Sequence, residues 1–251
     1  MIQVKNLQIG TGRPKVCAPL TGVTQEKILS EARLAREAGA DADLVEWRVD
    51  FYQEILQLEK VLETLVLLRH ELQGLPLLFT FRTLAEGGKQ DLSIREYHDL
   101  YETVVTEQLV DMVDIELFQI ESLGRGMIER IKDHQIPIII SNHEFKETPS
   151  DPVLLYRLNM MEHFGASIGK LAMMPQTEQD VFRLLELTKR ASAFVSIPLI
   201  TVSMGEMGKL SRVAGCLTGS AVTFGAISKA SASAPGQLSV KELQQIIKSL
   251  A

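Results

Sequence analysis

Apolar runs rich in Val, Ile and Phe recur along the chain: "VCAPL" from 16, "LVEWRVD" from 44, "LLFTFR" from 77, "MVDIEL" from 112, "IPIIISNH" from 136, "SIGKLAM" from 167, "LITVSM" from 199 and "AVTFG" from 221. Their lengths and the turn residues that bound them predict eight strands. Segments of helical period fill the gaps, with Ile28, Ala32 and Ala35 ahead of Gly39, Val61, Leu65 and Leu68 ahead of Gly74, and Leu154, Leu158 and Met161 ahead of Gly165. Each glycine reads as a helix stop. Two helix starts carry capping boxes, Ser93 with Glu96 and Ser239 with Glu242.

Alternation of strand and helix at about 30 residues per unit gives parallel strands joined by right-handed crossovers, and eight such units make a closed barrel. The expected fold is therefore α/β, a (β/α)8 TIM barrel. No linker-like stretch divides the chain, so residues 1–251 are read as one domain. An open doubly wound sheet alternates in the same way, but the polar positions favour the barrel. Arg48, Arg82, Glu116, His143 and Lys170 stand at or near the C-terminal ends of successive strands, where a barrel gathers them into one mouth. Side chains alternate faces along a strand. Glu46 and Arg48 thus oppose Trp47 and Val49, Asp114 and Glu116 oppose Ile115 and Leu117, and Ser141 and His143 oppose Ile140 and Asn142. The polar face is expected inside the mouth and the apolar face against the helices.

Hydrophobic content of 45% is enough for a substantial core. A net charge of −6, with both signs dispersed, offers no basic run to neutralise a phosphate backbone, so nucleic acid is not an expected partner. The start "MIQVKNLQIG" lacks the layout of a signal peptide, and no run approaches the roughly 20 apolar residues of a bilayer span. A cytoplasmic protein with no membrane contact is expected. Cys17 and Cys216 lack metal-ligand spacing and read as buried, reduced thiols.

Within "ASIGKLAMMP", Lys170 is a lone charge in a strand of small and apolar residues. Burial and neighbouring cations would favour its neutral form, which can attack a carbonyl and form a Schiff base. For an isolated strand lysine, an ion pair with Glu46 or Glu116 is the commoner state. His143 changes the balance, because it ends the preceding strand and so stands beside Lys170 in a parallel barrel, as an acid/base partner would. Arg48, Arg82 and Arg212 carry a permanent charge and a fork that fits carboxylate or phosphate, which points to an anionic small molecule. Glu86, in "FRTLAEGG", is either a solvated loop acid or the carboxylate that orients His143. The segment "SKASASAPGQ" follows the eighth strand, where a lid would close and offer Ser and Gln hydrogen bonds to a hydroxylated ligand.

These residues resemble type I 3-dehydroquinate dehydratase of the shikimate pathway. The resemblance runs through "EWRVD" (46–50), "LLFTFR" with "EGG" (77–88), "SNHEF" (141–145), "GKLAMMP" (169–175), "SR" (211–212), "TFGA" (223–226) and "SAPGQ" (233–237). It implies a TIM barrel, a homodimer, no metal or organic cofactor, and dehydration of 3-dehydroquinate to 3-dehydroshikimate. It further implies that Lys170 forms an imine with the C3 ketone, that His143 is the general acid/base and that Glu86 orients it. Glu46, Arg48, Arg82, Arg212, Ser233 and Gln237 would hold the substrate, with Arg212 on its carboxylate. One histidine serving both proton transfers implies syn elimination. Two departures stand out. The lid reads "KASASAPGQ", two residues longer than the expected "KASAPGQ", so Ser231 competes with Ser233; and Pro19 occupies a first-strand position where some members carry a substrate-binding serine, with Thr21 nearby.

Three rivals remain open on the residues alone. A class I aldolase also uses a barrel lysine imine, on a small anionic sugar or keto acid. A metal-dependent isomerase could use Glu46, Glu116 and His143 as ligands. A barrel turned binding module would hold the same substrate without turnover.

Overall fold

The computed structural model describes residues 1–36, 42–227, 233–234 and 236–250. All eight expected strands are present as β3 (Lys15–Leu20), β4 (Leu44–Arg48), β5 (Leu77–Thr80), β6 (Met112–Glu116), β7 (Ile138–Glu144), β8 (Ile168–Met173), β9 (Leu199–Ser203) and β10 (Val222–Phe224). They form one parallel sheet in the order β10-β3-β4-β5-β6-β7-β8-β9. The ring closes between its ends, where Leu199 bridges Ser220 in parallel and Ala221 N donates to Leu199 O at 2.7 Å. A twisted parallel sheet whose first and last strands meet is a (β/α)8 barrel.

Around it lie α1 (Gln25–Arg36), α2 (Leu58–Leu72), α3 (Ile94–Thr106), α4 (Ile120–Leu123), α5 (Arg125–Asp133), α6 (Asp151–His163), α7 (Glu178–Ala191), α8 (Gly215–Thr218) and α9 (Val240–Leu250). Ser93 and Glu96 form the expected capping box on α3, and Ser239 and Glu242 exchange the same bonds before α9. Gly74 and Gly165 both have positive φ just past their helices; the stop expected at Gly39 lies outside the described residues. A further capping box, Thr177 with Asp180, opens α7.

The period-two expectation holds strand by strand. Outward residues Trp47, Phe79, Ile115, Ile140 and Leu171 join the helices' buried faces in one core, with Trp47, Phe79 and Tyr101 meeting edge to face at 5.7 and 5.6 Å. Inward residues Leu44, Leu78, Met112, Ile139, Ile168 and Ile200 form a second apolar cluster inside the ring. Val4 and Ile9 seal it from below. They belong to an N-terminal antiparallel hairpin, β1 (Ile2–Val4) and β2 (Leu7–Ile9), which plugs the barrel's N-terminal end.

Two residues up each strand from that plug, the interior turns polar: Glu46, Thr80, Asp114, Ser141 and Lys170 follow Leu44, Leu78, Met112, Ile139 and Ile168. The barrel is thus an apolar plug with a charged layer stacked on it. One expectation fails outside the barrel. Cys17 is buried as expected, but Cys216 is exposed, because it lies on the short surface helix α8. Among the described residues no helix is long and apolar enough to cross a membrane.

Candidate active site

Above the charged layer, at the C-terminal ends of the strands, a cavity opens. Glu46, Arg48, Arg82, Glu86, His143, Lys170, Arg212, Ser233 and Gln237 all line it, so the residues that the resemblance assigns to catalysis and substrate holding reach one space. Ala172, Val202, Met204, Phe145 and Phe224 supply apolar wall between them. Pro19 and Thr21 do not reach the cavity; Thr21 N instead donates to Glu31 at 2.7 Å.

Lys170 is 5% exposed and pairs in register with Ser141 of β7. Its Nζ donates to Asp114 Oδ2 at 2.9 Å, lies 3.8 Å from Glu46 Oε1 and stands 4.5 Å from the centre of the Phe224 ring. The expected ion-pair partners are therefore half right: Glu46 is near, Asp114 is nearer, and Glu116 is occupied elsewhere. The expectation that cations crowd the amine is corrected too, since the charges in direct contact with it are carboxylates.

Glu116, expected in the mouth, does not line the cavity. Its carboxylate accepts Thr83 N at 2.8 Å, Thr83 Oγ1 at 2.7 Å and Arg82 Nη1 at 3.1 Å, which turn it toward the loop after β5. Arg82 also reaches Asp114 Oδ1 at 2.8 Å and Ser141 Oγ at 2.8 Å. Burial would raise the Asp114 carboxyl, but Arg82 and then Lys170 outweigh it and hold that carboxyl well below the usual carboxylate range. Among the described residues no three His, Cys, Asp or Glu side chains are grouped to hold a metal ion.

His143 is followed across the sheet by Ala172 of β8, two residues above Lys170 on the same inward face. Glu86 approaches from the loop after β5. That loop folds tightly: Gly88 N donates to Thr83 O at 2.8 Å, and a Cβ on Gly88 would fall 1.8 Å from the Arg82 carbonyl oxygen. Only glycine permits the return that brings Glu86 over the mouth. Glu86 Oε2 meets His143 Nδ1 at 2.8 Å and accepts the His143 backbone N–H at 2.9 Å, while Oε1 accepts Asn142 Nδ2 at 3.0 Å. Burial and the nearby Glu116 push Glu86 up to about 8, against the opposing pull of Arg82. Burial, with Arg82 and Lys170, pushes His143 well below its ordinary value. A neutral imidazole anchored through Nδ1 leaves Nε2 to act as a base.

Arg48 is clamped by Asp50, Nε to Oδ1 and Nη2 to Oδ2, both at 2.8 Å. Arg212 sits at the end of a short helical turn held by Ser211, whose Oγ accepts Ser203 N at 2.9 Å and donates to Gly208 O at 2.7 Å. Its Nη1 donates to the Phe224 carbonyl at 3.4 Å, and burial pushes the guanidinium down to about 10. Ser233 and Gln237 bond each other, Gln237 Nε2 to Ser233 Oγ at 3.0 Å and Ser233 N to Gln237 Oε1 at 2.8 Å, at the rim. Ser231 lies outside the described residues. Sequence reasoning missed Asp114 and Asp50 as partners; Asp50 meets Arg48 only two residues away, whereas packing between strands is needed to bring Asp114 to Lys170 and Arg82.

The family model described as type I 3-dehydroquinase matches residues 16–251. A 3-dehydroquinate dehydratase from Clostridium botulinum is 43% identical over 251 residues, spanning 100% of this chain and 97% of that protein. One from Bacillus licheniformis is 41% identical over 248 residues, 98% and 96% of the two chains. A solved type I 3-dehydroquinate dehydratase from Clostridium difficile superposes with a TM-score of 0.95 at 41% identity, over 99% of this chain and 97% of that one. That from Geobacillus kaustophilus gives 0.94 at 36% identity, over 99% and 95%. With the fold, the lysine and histidine on one wall, and likeness over nearly its whole length, the chain belongs to the type I 3-dehydroquinase family.

Proposed function

We propose that this hydro-lyase converts 3-dehydroquinate to 3-dehydroshikimate by syn elimination through a Schiff base on Lys170, with residues 1–251 acting as one catalytic domain, in solution and as a homodimer. The observation that carries the reading is the pairing of a buried strand lysine with an adjacent-strand histidine whose far nitrogen is fixed by a carboxylate.

The Lys170 proton is lost as the ketone binds, and the Glu86–His143 pair, in which burial and Glu116 push the carboxyl up to about 8, is suited to take it. The free amine attacks C3, the pair returns the proton to the carbinolamine oxygen, and loss of that oxygen as water leaves a protonated imine beside the Asp114 carboxylate and His143 free to act again. That cation draws electrons from C2, so His143 Nε2 removes a C2 proton and an enamine forms. The enamine's electron pair then expels the C1 hydroxyl as His143 returns a proton, giving water and the conjugated imine. A second water hydrolyses it and releases Lys170. Because one imidazole performs both transfers, proton and hydroxyl depart from the same face. Arg212, with the lid residues Ser233 and Gln237, is assigned to substrate holding, Arg212 at the carboxylate; Glu46, Arg48 and Arg82 line the opposite wall.

Borohydride reduction in the presence of 3-dehydroquinate, followed by peptide mass mapping, tests the reading. A stable adduct on Lys170, absent in Lys170→Met, is expected. Turnover that survives in Lys170→Met, or a reduced adduct on another residue, would overturn it. Appearance of the ultraviolet absorbance of a conjugated enone separates dehydration from aldol cleavage.

A further inference from the structure

Arg157 lies on α6, outside the catalytic cavity, in a separate outer hollow with Leu117, Phe118 and Tyr156. Its guanidinium packs over the Phe118 ring at 5.6 Å and its side chain is 15% exposed. Nη1 donates to Asn142 Oδ1 at 2.7 Å across the outer face of β7. Asn142 Nδ2 in turn donates to Glu86 Oε1 at 3.0 Å, and Glu86 Oε2 meets His143 Nδ1 at 2.8 Å. Three successive contacts therefore join an arginine on the outside of the barrel to the imidazole on the inside.

We infer that Arg157 is a positioning residue that fixes the sense of this hydrogen-bond chain, and so keeps the Nε2 lone pair of His143 facing the cavity. The inference rests on the acid/base role proposed for His143. A guanidinium has donors only, so the Asn142 carbonyl must face it and the Asn142 amide must face Glu86. Every other group that touches the Glu86 carboxylate also donates: the His143 backbone N–H at 2.9 Å and, more distantly, Arg82 Nη1 at 3.7 Å. Glu86 is thereby built to accept, and the proton between it and the imidazole is directed to Nδ1. Turning the Asn142 amide over would set its oxygen against Glu86 Oε1 and require Glu86 to carry a proton. That reversal would place the Asn142 amide against the Arg157 guanidinium, donor against donor, and this is how Arg157 prevents it.

The safeguard matters because burial and Glu116 already favour a protonated Glu86. The charged groups facing the dyad are Arg48 of β4, Arg82 after β5, Asp114 and Glu116 of β6, and Lys170 of β8. Arg157 itself also has Glu144 Oε2 at 3.9 Å. None of these others bonds Asn142, so apart from Glu86, whose own protonation is at issue, Arg157 is the described charge that sets the amide's orientation.

The test compares the unaltered protein with Arg157→Met and Arg157→Lys. In Arg157→Met the acid limb of the kcat profile is expected to move up by about one pH unit, a tenfold change in the protonation ratio of the dyad. Nitrogen-15 NMR of the His143 ring, without substrate at pH 9, above the titration of Glu86 at about 8, is expected to show Nδ1–H in the unaltered protein and a larger share of Nε2–H in Arg157→Met. Arg157→Lys keeps a donor-only cation and is expected to stay close to the unaltered profile. A rate loss in Arg157→Met with an unmoved acid limb and an unchanged tautomer would overturn the inference, as would Arg157→Lys displaced as far as Arg157→Met. Absence of a borohydride adduct on Lys170 in the unaltered protein would instead overturn the catalytic reading, so the two failures are distinguishable.

Discussion

Lys170 Nζ stands 2.9 Å from Asp114 Oδ2, and the other oxygen of the same carboxylate holds Arg82 Nη2 at 2.8 Å. A single fully buried anion therefore serves two cations, and Ser141 Oγ adds a third bond to it at 2.5 Å. Such a group fixes where the amine lies and remains as counter-ion once an imine has formed.

Asp114→Asn would keep the shape but leave both cations without that charge. Breaking one side of a buried ion pair costs about 3–5 kcal/mol, so denaturant titration is expected to show a loss of that order. The pH sign follows from the direction of the shift. The folded carboxyl is held below its unfolded value, so its contribution is complete above about pH 4 and is lost as pH falls further toward the folded value. Acid unfolding of the unaltered protein should lose this stabilisation below pH 4, while Asp114→Asn should be less stable already at neutral pH and less sensitive in that range.

His143→Ala leaves Lys170 and its carboxylates in place but removes the group assigned to both proton transfers. Turnover is expected to fall by roughly 10²–10⁴, the span of general acid–base contributions. Imine formation should be slowed, because half of the pair that takes the Lys170 proton is lost, but should persist with Glu86 in place, so prolonged borohydride treatment should still label Lys170. A variant that neither turns over nor labels would place His143 in substrate binding rather than proton transfer.

Glu86 gives a stability prediction with the opposite sign to Asp114. Its folded value is pushed up to about 8, above that of an unfolded glutamate, so the folded protein holds the extra proton and loses stability as pH rises toward 8. His143, pushed down, works the other way below about pH 6.5, which leaves pH 6.5 to 8 as the window where Glu86 acts alone of the two. Thermal melts of the unaltered protein should fall across that window by up to about 1.4 kcal/mol per pH unit. Glu86→Gln, which cannot titrate, should flatten the slope and lower activity. An equally steep slope in Glu86→Gln would assign the titration to another group.

How much of this was legible in the sequence depends on how local the signal was. The strands were readable because each is a short apolar run rich in Val, Ile and Phe, and the inward face was readable where polar residues alternate with apolar ones, as Glu46 and Arg48 do around Trp47. The hairpin at Ile2–Val4 and Leu7–Ile9 went unread, since three-residue strands are too short for periodicity to register, although Lys5 and Asn6 occupy the turn between them. Thr177 with Asp180 escaped a search for glutamate or glutamine at the third helical position. The members of the site were readable from their places at strand ends, but their pairings were not. Glu116 and Asp114 lie two residues apart on the same face, and only the tertiary contacts decide that Thr83 and Arg82 hold the former while Lys170 takes the latter.

Arg212 links stability and binding in one residue. Burial pushes its guanidinium down to about 10, so holding it as a cation in the cavity wall carries a cost at neutral pH. The unfolded chain binds its proton more readily, and the cost is complete below about pH 10 and disappears as pH rises toward the unfolded value. Arg212→Met, a flexible apolar replacement, is expected to stabilise the fold at pH 7 by on the order of 1 kcal/mol. Loss of a charge-assisted contact with the substrate carboxylate, about 1.5–3 kcal/mol, should raise KM by roughly 10- to 150-fold. A variant that gained stability with KM unchanged would move the carboxylate to Arg48 or Arg82, both of which already carry carboxylate partners of their own.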